Sequence, residues 1–151
     1  MPISATDQQL AAALLREAAR RLAHQSNNAT NAVAVNVEVI RTRAGRPGVS
    51  AESLLPFAQR AAAAVEQATA GLAATEAVLT GLLSVAAGGA VRVQPARDDP
   101  EGVELVLPGD HTVEPAAVRF AASAGVALGR AANGVILRVL RPGAAATDVT
   151  P

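Results

Sequence analysis

Apolar residues recur every three or four positions along two long segments of the chain, residues 8–43 and 50–87. That spacing places them on one side of an α-helix, so two long helices are predicted. Thr6 or Asp7 is predicted to cap the first helix, and Ser50 the second. Because only a short stretch containing Gly and Pro separates the helices, they are expected to form an antiparallel hairpin.

The apolar stripes of the two helices differ in regularity. On the first helix the stripe predicted to be buried consists of Leu15, Ala18, Leu22, Ser26, Ala29, Val33, Val37 and Ile40. On the second helix a stripe alternates spacings of four and three without interruption, at Leu54, Ala58, Ala61, Val65, Ala68, Leu72, Thr75, Leu79, Leu82 and Ala86. This regularity is typical of a coiled-coil seam. Since aromatic residues make up only 1% of the chain and Ala buries little area, two copies are predicted to pair in a four-helix bundle.

After Gly88 and Gly89 the pattern changes to shorter elements. Strands are predicted at residues 91–93, 103–107 and 135–140. A helix that starts with Pro is predicted over residues 115–132, ended by Asn133-Gly134. Within it, Gly125 and Gly129 are expected to allow close contacts between helices.

The predicted architecture is therefore α + α/β in three parts. Residues 1–89 form a helical hairpin that builds a dimeric four-helix bundle, and residues 90–141 form a small, reduced α/β domain. Residues 142–151, rich in Ala and Thr, are expected to be a disordered tail.

One histidine and several side-chain amides stand out in the first helix. At ~100° per residue, His24, Asn28 and Asn31 fall in one narrow sector, with Asn27 close beside them. The sector lies away from the predicted buried stripe, so His24 is expected to face solvent. An imidazole can act as a nucleophile near neutral pH, and amides can orient a water or a phosphoryl oxygen. The competing interpretation is a polar surface histidine with no chemistry.

The segment from Leu22 to Arg41 resembles the phosphoacceptor helix of bacterial two-component sensor histidine kinases. In that family the His is usually followed by an acidic residue, by an Asn or Thr four positions after the His, and often by Pro. Here the sequence is His24-Gln25-Ser26-Asn27-Asn28-Ala29, followed by an aliphatic run. The resemblance implies that His24 is phosphorylated and that Asn28 positions water during dephosphorylation of a partner. Gln25 stands where the family prefers the carboxylate thought to act as a general base in autophosphorylation.

The same resemblance implies a partner, the receiver domain of a response regulator, which holds both the aspartyl phosphate and its Mg²⁺. Arg20 and Arg21 are expected to help hold the phosphoryl group, although solvated helix charges are the simpler interpretation. Asn27 and Asn31 extend the predicted contact surface. Val35 lies almost in line with His24, about 16 Å further along the helix. It is expected either to contact a partner helix or, after a small rotation, to be buried.

In sensor kinases the bundle is followed by an ATP-binding α/β domain, and the strand, helix, strand order here resembles a reduced form of it. The predicted helix lacks the family's Asn, and neither Asp-x-Gly nor Gly-x-Gly occurs downstream. ATP binding and autophosphorylation are therefore not expected. The combination suggests a histidine phosphotransferase of a phosphorelay. The alternatives are a non-catalytic scaffold that sequesters a response regulator, and a phosphatase that depends on Asn28.

Composition and charge narrow the remaining classes. The chain has no Cys, so a thiolate metal site is not expected. The same absence predicts that the protein is located in the reducing cytoplasm. Its net charge is +0, its 13 basic residues are all Arg, and no basic patch has aromatic neighbours, so nucleic-acid binding is not expected. No leader pattern and no uninterrupted apolar run of ~18 residues occurs, so no membrane association is expected. His111 with Asp110 and Glu114 is too sparse for a metal site, and no cofactor is expected in the chain itself.

Overall fold

The computed structural model describes residues 4–108 and 113–142 of the chain. Two long helices come first, α1 at Ala5–Ala44 and α2 at Ala51–Ala86. Five shorter elements follow: β1 at Arg92–Pro95, β2 at Val103–Pro108, α3 at Pro115–Ser123, β3 at Val126–Ala131 and β4 at Gly134–Val139. The described chain is thus of the α+β class. The tail predicted to be disordered lies, except for Pro142, outside the described residues.

The two long helices form the antiparallel hairpin that the sequence predicts. At its open end, the Gln8 side chain at the start of α1 donates to the Val85 carbonyl at the end of α2, at 3.2 Å. At its closed end, the Arg43 guanidinium stacks on the Phe57 ring, 4.6 Å from the ring centroid.

The structure corrects one helix cap and confirms the other. Ser4, rather than Thr6 or Asp7, caps α1, because its hydroxyl accepts from the Asp7 backbone N–H at 3.1 Å. The cap of α2 is Ser50, whose hydroxyl accepts from the Ser53 backbone N–H at 3.3 Å.

The small sheet is antiparallel throughout, in the order β1-β2-β4-β3. The helix predicted over residues 115–132 is wrong beyond Ser123, because the chain reverses at Gly125 and pairs with β4 as the fourth strand. Gly125 adopts a left-handed backbone with φ 74°, which ends the helix at low steric cost. Gly129 lies in β3 opposite Ile136, so neither glycine mediates the predicted contact between helices. Asn133-Gly134 accordingly turns one strand into the next rather than ending a helix.

One hydrophobic core joins the sheet, α3 and the open end of the hairpin. Its largest fully buried side chains are Leu15, Leu22, Leu105, Leu128, Leu137, Val78, Val126 and Val135. The half of the hairpin nearer its closed end is different, because Ala29 and Ala64 are its only buried residues. The small domain therefore covers one end of the hairpin and leaves the other as two bare helices.

Small residues on α2 let the small domain approach closely. A Cβ added at Gly71 would lie 2.8 Å from Cζ of Phe120 on α3. A Cβ added at Gly81 would lie 2.8 Å from Cδ1 of Leu107 on β2. Both glycines belong to the buried face of α2, and because they lack a side chain, the small domain can pack closely against this face.

The stripe predicted as a coiled-coil seam on α2 is not the face buried within one chain. Three of its large members are exposed, with relative exposures of 49% for Val65, 72% for Leu72 and 50% for Leu79, whereas Leu54 and Leu82 are half-buried. By length and composition α2 could cross a membrane, since one 18-residue window has a mean hydropathy of 1.4 and is 28% buried. A core helix of a soluble protein passes the same test. Burial within a single chain does not account for the apolar surface of α2.

Candidate functional site

The polar sector of α1 around His24 faces solvent, as its spacing predicts. His24, Asn27, Asn28 and Asn31 are all exposed on the middle of the helix. Val35 lies on the same sector and is 62% exposed, so the rotation that would bury it does not occur within one chain. An imidazole, three amides and an apolar side chain thus form one continuous exposed surface, called here the His24 face.

Two arginines precede this face and share one carboxylate. Arg20 binds both Glu17 carboxylate oxygens, with Nε 2.8 Å from Oε2 and Nη2 2.7 Å from Oε1. Arg21 also donates to Glu17, with its Nε 2.8 Å from Oε1, which is the four-residue pair that the sequence favours. These hydrogen bonds, first from Arg20 and then from Arg21, lower the pKa of Glu17 from 4.5 to about 2. Both guanidinium groups therefore point toward the N-terminus of α1, onto a carboxylate that stays charged above strongly acidic pH.

Arg21 also ties α1 to the small domain. Its Nη1 donates to the Gly125 carbonyl at 3.0 Å and to the Leu140 carbonyl at 2.7 Å. Its side chain is only 23% exposed, against 69% for Arg20. Arg21 is thus engaged by two backbone carbonyls and Glu17, and the contact with a phosphoryl group predicted for it would require these hydrogen bonds to break.

Gln25 makes the second contact between α1 and the small domain. It is partly buried, and its Nε2 donates to Oγ of Ser123 at 3.3 Å. Arg21 and Gln25 are four residues apart, so the two contacts lie about 6 Å apart along the helix and enclose the turn that carries His24. We call residues 123–125, which receive them, the α3–β3 corner.

The α3–β3 corner was missed by sequence reasoning. Gly125 makes the corner, because its left-handed conformation redirects the chain and its carbonyl accepts from Leu140 N at 2.9 Å as well as from Arg21. The available signal was a Gly soon after a polar Ser at the end of an Ala-rich helix, which is typical of a helix C-terminus.

An open apolar groove of about 400 Å³ lies between α1 and α2 near the closed end of the hairpin. Val33, Val37, Val65 and Leu72 contribute its largest side chains, and its walls are almost entirely apolar. On α1 the groove lies on the side away from the small domain, so it is separate from the α3–β3 corner. It combines part of the first predicted stripe with part of the seam on α2.

Among residues 4–108 and 113–142, no group of three or more His, Cys, Asp or Glu side chains could hold a metal ion. The cluster around His111 and Asp110 lies outside the described residues.

Comparison of the chain with protein-family models, with curated proteins and with solved structures found no match.

Proposed function

We propose that this protein is a histidine phosphotransferase, in which His24 exchanges a phosphoryl group with the aspartate of a response-regulator receiver domain. The observation that carries the proposal is the His24 face, where an exposed imidazole lies in line with exposed amides and an exposed apolar residue on a long helix. A core histidine would be buried, and the exposed Val35 three turns away on the same sector gives a partner an apolar contact in line with the imidazole.

The transfer is a nucleophilic displacement at phosphorus. A neutral imidazole nitrogen of His24 attacks the phosphorus of the receiver's aspartyl phosphate, a P–N bond forms and the P–O bond to the aspartate breaks, which releases its carboxylate. Mg²⁺ held by the receiver offsets the charge of the phosphoryl oxygens. The amides of Asn28 and Asn31 can donate to those oxygens, and Arg20 can do so once it leaves Glu17. The reverse step returns the phosphoryl group to a receiver, so this chain requires no nucleotide.

The proposal includes a homodimer in which two hairpins form a four-helix bundle. The closed-end half of the hairpin buries only Ala29 and Ala64 within one chain. Its groove is apolar and includes Val65, Ala68 and Leu72 of the seam on α2. A second copy offers the same seven-residue spacing, which is what knobs-into-holes contacts require. In that arrangement the His24 face stays on the outside of the bundle.

Labelled receivers test the proposed function. Wild-type protein is incubated with phosphorylated receivers of the source organism, and label is sought on His24 as an acid-labile, base-stable adduct. His24→Ala is expected to keep receiver binding and lose all label. Val35→Arg is expected to keep the thermal stability of the protein and to weaken receiver binding strongly, because it places a charge on the docking sector.

The same experiment separates the alternatives. A phosphatase would release inorganic phosphate from the receiver without label on His24, and Asn28→Ala would abolish that release. A scaffold would bind receivers and leave their phosphate in place, and the His24→Ala and Asn28→Ala variants would bind receivers as the wild type does. Receivers that neither bind nor exchange phosphate would reject all three functions. A Val35→Arg protein that is strongly destabilised would show that Val35 does not lie on a free surface.

A further inference from the structure

The α3–β3 corner lies immediately beside the His24 face. Gln25, the neighbour of His24 in the chain, binds Ser123 of the corner at 3.3 Å, and Arg21 binds Gly125 at 3.0 Å. At ~100° per residue these two side chains leave α1 on the same flank of His24, about 60° and 100° around the helix from it. The small domain therefore flanks one side of the His24 face at the level of the histidine itself.

The helix that ends at this corner presents a second exposed face there. Three residues of α3 spaced by three and four positions are exposed, Ala116, Arg119 and Ser123. The opposite side of α3 is buried, where Phe120 contacts α2 at Gly71. Because Ser123 also binds Gln25, the exposed side of α3 begins at α1 and continues away from it. Arg119 is one turn from Ser123, about 6 Å along α3.

The size of a protein interface then decides what a partner at His24 must touch. A standard interface buries about 800 Å² per partner, equivalent to a disc of about 16 Å radius. Adjacent Cα atoms are 3.8 Å apart and Gln25 binds Ser123 directly, so the α3–β3 corner lies within such a disc centred on His24, and Arg119 follows one turn further along α3. A receiver whose aspartate reaches His24 can therefore extend over the α3–β3 corner onto this side of the small domain.

We infer that the exposed face of α3 is the second half of the partner surface, and that Arg119 is its charged contact with an acidic receiver. The inference rests on the proposed function, because that function supplies the partner. The receiver must present an aspartyl phosphate and the carboxylates that hold Mg²⁺, so its docking surface is acidic around the reacting group. A guanidinium on α3, one turn beyond the α3–β3 corner, complements that charge and steers the encounter. The small domain would thus contribute to partner selection without binding a nucleotide.

The test compares two charge reversals on the same domain. Arg119→Glu changes the exposed face of α3, and Arg130→Glu changes an exposed residue of β3 five residues beyond Gly125, about 16 Å along the strand. The two variants have identical net charge. Each is assayed for transfer from a phosphorylated receiver and, separately, for labelling of His24 by phosphoramidate, a small donor that releases ammonia as its P–N bond is replaced by one to His24.

Arg119→Glu is expected to slow transfer from the receiver about tenfold at low salt, with a smaller effect at high salt, because rim charges act mainly on the association rate. Labelling by phosphoramidate should be unchanged, Arg119→Lys should restore transfer, and Arg130→Glu should behave as wild type. Wild-type transfer rates in Arg119→Glu, or equal losses in both reversals, would overturn this inference alone. Wild-type protein that exchanges no phosphate with any receiver would overturn both it and the proposed function.

Discussion

Arg20 and Arg21 are adjacent on α1, yet their side chains have different hydrogen-bond partners. Both bind Glu17, but Arg20 is exposed, whereas Arg21 also reaches two backbone carbonyls of the small domain. Those carbonyls, of Gly125 and Leu140, lie where β3 begins and β4 ends. Arg21 therefore fixes the small domain to the turn of α1 that carries His24.

Arg21→Ala is expected to destabilise the protein by about 1–3 kcal/mol, because it leaves two partly buried carbonyls without their charged donor. Unfolding by urea, followed by circular dichroism, measures the change. Arg20→Ala is the matched control, since it removes an exposed charge bound to the same carboxylate and should change the stability little. Equal effects of the two substitutions would show that the ion pairs with Glu17, and not the carbonyl contacts, matter.

At the scale of the element, the long helices were predictable and β3 was not. Hydrophobic periodicity over many turns defines α1 and α2, and the cap of α2 is clear because Ser50 follows a Gly- and Pro-containing break. The residues of β3 are mostly Ala, Leu and Gly, which carry no strand preference of their own. They form a strand because the chain reverses at Gly125 and β4 offers a pairing edge. The formation of β3 thus depends on tertiary contacts and not on the residues of the strand alone.

The candidate site divides in the same way. Exposure of His24 and Asn28 follows from their angular positions on one helix, so local sequence suffices to predict it, whereas for Val35 the sequence leaves exposure and burial open. The involvement of Arg21 and Gln25 with the small domain depends on residues about a hundred positions away, and no local pattern indicates it. Periodicity likewise located the seam on α2 but did not indicate which surface covers it.

Gly81→Ala is expected to destabilise the fold by about 1 kcal/mol, although Ala is the better helix former. Helix propensity favours Ala by about 0.5–1 kcal/mol, whereas forcing a methyl group into a close contact costs about 1–3 kcal/mol. The added Cβ would lie 2.8 Å from Leu107 and 3.0 Å from Leu15, both buried in the core. Thermal unfolding measures the balance.

The control for this substitution is Ala63→Gly at an exposed position of α2, where only helix propensity acts. This substitution removes a methyl group instead of adding one, and it should also destabilise the protein by about 1 kcal/mol. A Gly81→Ala protein more stable than wild type would mean that α2 and β2 can separate without loss.

At the scale of the whole molecule, one chain leaves unpaired the surface with the most regular apolar repeat. Leu72 is 72% exposed and lines the groove between the helices, and Leu79 is 50% exposed further along the same stripe. Exposed apolar surface of this extent on a helical hairpin is typical of an interface.

Leu72→Glu is expected to convert the proposed dimer into a folded monomer. Within one chain the side chain is largely solvated, so helix content by circular dichroism should be kept, while the mass from light scattering should halve because a carboxylate is buried at the seam. Leu55→Glu is the control, since Leu55 is 54% exposed but lies outside the stripe. A wild-type protein that is already monomeric would refute the four-helix bundle.

The cover over the open end of the hairpin also sets an order of folding. The closed end joins residues that are near in sequence, whereas the open end of α1 is completed by carbonyls 104 and 119 positions downstream of Arg21. Contacts of such separation form late, since chain entropy must be lost before they form. On the ribosome, the contacts that Arg21 makes with the small domain therefore form only after Leu140 has been synthesised. A chain that ends before Leu140 would thus carry His24 on a helix turn that lacks these two contacts.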